Sequence, residues 1–225
     1  MPRRALPSLR KRLCKIADLL AASYGRPRRR RTDPLDSLIQ TVLSQNTSDA
    51  NSDRAFASLK DAFPTWERAA AARPGPIERA IRSGGLARTK SRRILKLLAA
   101  VRQREGGLHL RALRRLDATE ADLRLRGLPG VGPKTRACVL LFAFGKHAFP
   151  VDTHVQRVTQ RLGLIDEKAS AERAHDILGP AVPQGRALDL HLNLIRLGRE
   201  LCRARAPRCG ACALRRLCPS CGTAA

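Results

Sequence analysis

The chain reads as all-α. Apolar residues recur at three- and four-residue spacing, as on Leu35, Leu38, Ile39, Val42 and Leu43, which is the stripe of a helix with one buried face. Start signals precede the stripes: Asp33-Pro34, Thr119-Glu120 and Pro133 place a polar cap or a first-turn proline where a helix needs one. One stretch, Leu188 to Leu194, alternates strictly as a strand would. It has no second strand to pair with, and an isolated strand is not stable. Leu190, Leu194, Leu197 and Leu201 also make a helical stripe, so a buried helix is expected there.

Composition narrows the partner. The 225 residues carry 44 lysines and arginines against 19 acidic groups, a net charge of +25. That surplus predicts a polyanion and salt-sensitive binding. Aromatics are only 3% of residues, which disfavours a stacking platform for single strands. No apolar run is long enough to span a bilayer and the N-terminus has no signal-like core, so a cytoplasmic protein without membrane partners is expected. Five of the seven cysteines fall in the last two dozen residues, which points to a metal site over a disulfide framework.

In order, Leu13, Ile16, Ala17 and Leu20 form a short amphipathic helix ending near Gly25. Arg26 to Arg31 is almost pure positive charge, read as a solvated tail. The helix opened by Asp33-Pro34 stops in Ser44-Gln45-Asn46-Thr47-Ser48-Asp49. With neither glycine nor proline, this cluster suits a hydrogen-bonding surface; an ordinary capping loop is the plainer alternative. Ala55, Phe56, Leu59 and Phe63 mark a helix stopped by Pro64, and short helices follow over Trp66–Ala72 and Pro76–Arg82. Ser83 to Lys90 is a glycine turn with flanking charge. Ile94, Leu95, Leu98 and Val101 make a further helix with Lys90, Arg92 and Arg93 at its start. Cations there oppose the helix dipole and hint at a phosphate neighbour, a solvated face being the alternative.

The densest signal is Leu128-Pro129-Gly130-Val131-Gly132-Pro133-Lys134-Thr135, then an apolar run from Ala137 to Phe144, then Pro150-Val151-Asp152-Thr153-His154. Gly130 and Gly132 suit a tight turn with positive φ or a close approach. Pro133 then opens a helix whose free N–H groups can seat a phosphate. Lys134, in that first turn, either touches phosphate as a point charge or serves as a nucleophilic amine. Asp152 can cap the next helix, and His154 reads as a packed or capping residue. Near the C-terminus, Cys209 and Cys212 with Cys218 and Cys221 make two CxxC pairs, a zinc pattern. The link between the pairs is five residues, where zinc ribbons use roughly 15–20. Cys14 and Cys138 lack partners by spacing and read as buried thiols.

Leu-Pro-Gly-Val-Gly-x-Lys-Thr with Val-Asp-Thr-His resembles the helix-hairpin-helix DNA glycosylases of the endonuclease III family. The likeness runs from about Asp33 to Cys218. It implies an all-α, two-lobed fold: a helical domain over residues 33–146, and a discontinuous one from residues 1–32 plus 147–225 with a C-terminal cluster loop. Lys134 is the implied nucleophile, and Asp152, eighteen residues later, its partner across a cleft. The resemblance also implies a [4Fe–4S] cluster on Cys202, Cys209, Cys212 and Cys218, with Cys221 spare. It implies DNA contacts from Gln45 and Asn46, which fill the gap left by an extruded base, and from a wedge at Leu86; Lys90 and the turn of Gly130 and Gly132 are the phosphate contacts expected from the residues themselves. Arg203, Arg205 and Arg208, inside the cluster loop, would grip phosphate. Two positions depart from the family: Asn46 stands where it has glutamine, and Gly84 where it has a bulky aliphatic. The implied activity is removal of a damaged base, oxidised pyrimidines being the family default, and β-elimination through a lysine Schiff base. A monomer acting on double-stranded DNA with a damaged base or abasic site is expected. Rival readings are a monofunctional mismatch or adenine glycosylase, disfavoured by Lys134 and by Thr41 where adenine enzymes carry glutamate, and a non-enzymatic iron–sulfur DNA binder.

Overall fold

The computed structural model describes residues 5–222 and holds no strand among them. Its α-helices are α1 (Ala5–Tyr24), α2 (Pro34–Leu43), α3 (Asp49–Ala62), α4 (Trp66–Ala71), α5 (Pro74–Ala80) and α6 (Ala87–Glu105), then α7 (Ala118–Arg126), α8 (Pro133–Cys138), α9 (Thr153–Arg161), α10 (Ala171–Ala181) and α11 (Ala187–Glu200). The chain folds as two units: Arg30–Lys146, and the residues up to Arg29 with those from His147 onward.

In the Arg30–Lys146 unit, α2 is the central element. Asp33 caps it by accepting from Leu35 N at 2.9 Å and Asp36 N at 3.1 Å, with Pro34 at its first position. The stripe of Leu35, Leu38, Ile39, Val42 and Leu43 is fully buried, against α3, α6, α8 and the turn after α8. Burial of each such side chain stabilises by about 1.5–3 kcal/mol before ordering costs. Helix α6 buries Ile94, Leu97, Leu98 and Val101; Leu97 replaces the expected Leu95, because the buried face is rotated slightly from the sequence stripe. Helix α7 opens with a reciprocal box in which Asp117 accepts from Glu120 N at 2.8 Å and Glu120 accepts from Asp117 N at 3.0 Å. The apolar run after Lys134 is not one α-helix: α8 ends at Cys138 and Val139–Phe144 widens into a π-helical turn closed by Gly145. Such widenings are rare and concentrate near functional sites.

In the other unit α11 packs against α1 and α9. It is a helix, and it explains why its sequence alternates. The polar residues Asp189, His191 and Asn193 are themselves buried. Each has a partner: Arg186 Nε donates to Asp189 at 2.9 Å, His191 Nδ1 lies 2.9 Å from Pro150 O, and Asn193 donates to Gly25 O at 3.0 Å. The alternation therefore records buried hydrogen bonds on a helix.

Candidate active site

Lys134 stands in the first turn of α8, in the Arg30–Lys146 unit. The turn that presents it is built as its glycines suggest, but only one of them needs to be glycine for conformation. Gly130 has φ +74, and a Cβ there would lie 2.8 Å from Arg93 Cδ. Gly132 is the cap of α8 at φ −81 and ψ 178, extended backbone open to any residue, and a Cβ would meet nothing. The two helices of the hairpin are stapled by Arg136, which donates to Asp122 at 2.7 Å with its side chain largely buried. Lys134 itself is half-buried, and within its unit no hydrogen bond or ion pair holds its amine among the described residues.

The polar segment after α2 reaches this turn. Gln45 Nε2 donates to Thr135 Oγ1 at 3.5 Å, and Gln45 Oε1 accepts from Arg93 Nη1 at 2.5 Å. Asn46 is exposed in the left-handed region at φ +53, a conformation asparagine tolerates better than most residues. Leu86 is 59% exposed and left-handed at φ +50, directly after Gly85 at φ +66. A leucine held there costs of order 1–3 kcal/mol, and it is held with its side chain in solvent. Gly84 is buried, and a Cβ would come within 3.0 Å of Ala55 Cβ. The absent aliphatic therefore reflects α3 crowding the turn from beneath.

Lys90 corrects its expectation as a DNA contact. It is 2% exposed, and its Nζ donates to Leu43 O at 2.6 Å and Gly84 O at 2.8 Å. The cation that sequence placed at a phosphate instead ties the end of α2 to the turn that carries Gly84 and Leu86. Burial, and then neighbouring Arg93, push its pKa down. Thr135 was not singled out from sequence. Arg93 was named only as one of the cations crowding the start of α6, facing phosphate or solvent, and its contact with Gln45 has no signal in the local pattern.

Asp152 lies in the other unit, capping α9 by accepting from Val155 N at 2.7 Å. His154 Nδ1 meets Arg157 Nη2 at 3.1 Å, and burial lowers the His154 pKa. Arg157 also donates to Gly198 O at 2.8 Å and to Cys202 O at 3.1 Å. Arg161 donates to Arg203 O at 2.6 Å and Ala204 O at 3.0 Å, so α9 holds the start of the cysteine loop. Arg203, Arg205 and Arg208 are exposed. Cys202, Cys209, Cys212, Cys218 and Cys221 line one cavity of about 30 Å³. No three of the described metal-binding side chains converge on a single ion. Burial, and the proximity of the other thiols, raise the pKa of Cys212 and of Cys218. Cys138 is buried as expected, whereas Cys14 is only half-buried.

A hairpin presenting an unpaired lysine beside a hydrogen-bonded polar segment defines a class, and the comparisons agree with it. Residues 39–184 match the HhH-GPD superfamily of base excision DNA repair proteins, and the chain belongs to that family. An Arabidopsis thaliana protein named for DNA glycosylase activity is 41% identical over 165 residues, 73% of this chain; the chain spans 56% of that protein's length. Endonuclease III of Thermotoga maritima is 34% identical over 187 residues, covering 83% of each chain. Among solved structures, a non-covalent endonuclease III–DNA complex superposes with a TM-score of 0.82 at 31% identity, covering 95% of this chain and 97% of that one. A trapped covalent endonuclease III–DNA intermediate superposes equally well, with a TM-score of 0.82 at 30% identity and the same coverage of both chains.

Proposed function

We propose that this chain is a bifunctional DNA glycosylase and abasic-site lyase of base excision repair, with Lys134 as nucleophile and Asp152 as its partner. The observation that carries the reading is the unpaired Lys134 amine in the first turn of a hairpin helix, in a chain similar to an enzyme trapped covalently on DNA. The hairpin N–H groups receive a phosphate, and the +25 charge supplies long-range attraction. A damaged base leaves the stack most cheaply where its pairing is already weak. Gln45 and Asn46 occupy the gap, and Leu86 wedges the duplex.

Chemistry then proceeds at the sugar. The neutral Lys134 amine attacks C1′, the C1′–N bond breaks, and the base departs with the bonding pair. Asp152 takes a proton from the amine or stabilises positive charge on the sugar. The ring opens to a Schiff base, which acidifies the C2′ proton. Loss of that proton expels the 3′ phosphate by β-elimination, and water hydrolyses the imine to release Lys134. Oxidised pyrimidines are the proposed lesions.

We assign the cysteine loop to a [4Fe–4S] cluster held by Cys202, Cys209, Cys212 and Cys218. The donor set fits by its chemistry: thiolates suit such clusters, and these sulfurs line one cavity. The cluster supplies a structural cross-link, which presents Arg203, Arg205 and Arg208 on a stiff loop for phosphate. The function is tested on a duplex with one abasic site. A nick leaving an unsaturated aldehyde on the 3′ end supports the lyase, and an intact strand with retained binding refutes it.

A further inference from the structure

Two side chains on the first turns of α6 reach in different directions to loops far away in sequence. Lys90 reaches the end of α2 and the wedge turn. Arg93 reaches the hairpin. Its stem lies over Gly130, where a Cβ would come within 2.8 Å of Cδ and 3.1 Å of Cγ and Nε. Its guanidinium donates to Gln45 at 2.5 Å, and Gln45 passes the contact on to Thr135, the neighbour of Lys134, at 3.5 Å. Thr135 is 2% exposed, so this chain of contacts ends inside the packed unit. The segment that carries Gln45 has neither glycine nor proline, and Asn46 sits left-handed at φ +53, so its path needs an outside support.

We propose that Arg93 is a positioning residue: it locks the polar gap-filling segment to the turn that carries Lys134, so that the two meet DNA as one body. This rests on the reading of Lys134 as nucleophile and of Gln45 and Asn46 as gap fillers. A free arginine in the same place would serve only as a phosphate contact. Here one Nη is already committed to a neutral amide, and the stem is pinned against a glycine that has no room for a side chain. A guanidinium suits this double duty because its flat fork can bond at one edge while its stem packs. The lock prepays the ordering of a loop that would otherwise be ordered on each encounter with DNA.

The test uses Arg93→Ala, Gln45→Ala and the double variant in the full chain, with two readouts. The first is amide hydrogen exchange without DNA over residues 44–49 and 128–135. Exchange in both segments speeds up in each single variant if the lock exists, and unchanged exchange overturns it. The second is the single-turnover nicking rate on a duplex with one abasic site, together with affinity for its tetrahydrofuran analogue across salt. Each single variant slows nicking about tenfold, as loss of one charge-assisted hydrogen bond does, and the double variant is no slower than the worse single. The salt slope stays as in the wild type. A slope flattened by about one with an unchanged rate marks Arg93 as a phosphate contact only and overturns the proposal. Effects that multiply in the double variant overturn it too. Should the wild type fail to nick while exchange still reports the lock, the reading of Lys134 falls and the Arg93 clamp stands.

Discussion

Replacing Lys90 with methionine separates a structural cation from a DNA-binding one. The thioether keeps the stem packed in its 2% exposed site but removes the donors from Leu43 O and Gly84 O, now 2.6 and 2.8 Å away. Each buried carbonyl left unpaired costs about 1–3 kcal/mol, and relief from burying an ammonium returns part of it. A net loss of about 2–4 kcal/mol follows, which lowers the melting temperature by about 5–15 °C for a chain of this size. Thermal and urea unfolding by circular dichroism measure it. The pH dependence has a definite sign. Burial lowers the Lys90 pKa below 10.5, so in the alkaline window beneath that value the unfolded chain binds more protons than the folded one. Stability of the wild type relative to Lys90→Met therefore rises with pH up to about that value and then levels. With its amine buried against two carbonyls, replacing Lys90 is expected to leave the salt slope for duplex binding unchanged. A melting temperature within a degree of the wild type, with a flattened salt slope, would refute the reasoning.

Gly84→Val drives a side chain into Ala55, 3.0 Å from the first added carbon, and destabilises by about 1–3 kcal/mol in urea unfolding. Leu86→Gly relieves the left-handed strain, and so raises or preserves the melting temperature while weakening binding to an abasic duplex. Asp152→Asn keeps an oxygen to accept from Val155 N. Melting stays as in the wild type while single-turnover base excision falls by about 10²–10⁴. Cys209→Ser lowers bound iron and the melting temperature together; Cys221→Ser leaves iron content as in the wild type, which metal analysis after purification reads directly.

Local chemistry made much of the fold legible. The Asp33-Pro34 cap, Pro133 opening α8 and Asp152 capping α9 each depend on residues within a few positions of one another, the range over which pattern speaks. Gly130 was legible for the same reason, its positive φ being a property of one turn. What sequence could not show is reach. Whether Lys90 points to solvent or to Leu43, 47 residues away, is set by packing, and the same holds for the contact of Arg93 with Gln45 48 residues away. The π-helical turn after Cys138 escaped too, since an apolar run fits either helix width. The alternating stretch in α11 misleads toward a strand because its buried face includes hydrogen-bonded polar side chains.

Borohydride trapping tests the central claim most directly. The protein is mixed with a labelled duplex bearing one abasic site and reduced, and the cross-linked fraction is read on a denaturing gel. Wild type gives a covalent species whose attached peptide maps to Lys134, and Lys134→Ala gives none while still binding the duplex. A Lys134→Ala protein that traps as well as the wild type would assign the Schiff base to another amine and contradict the account.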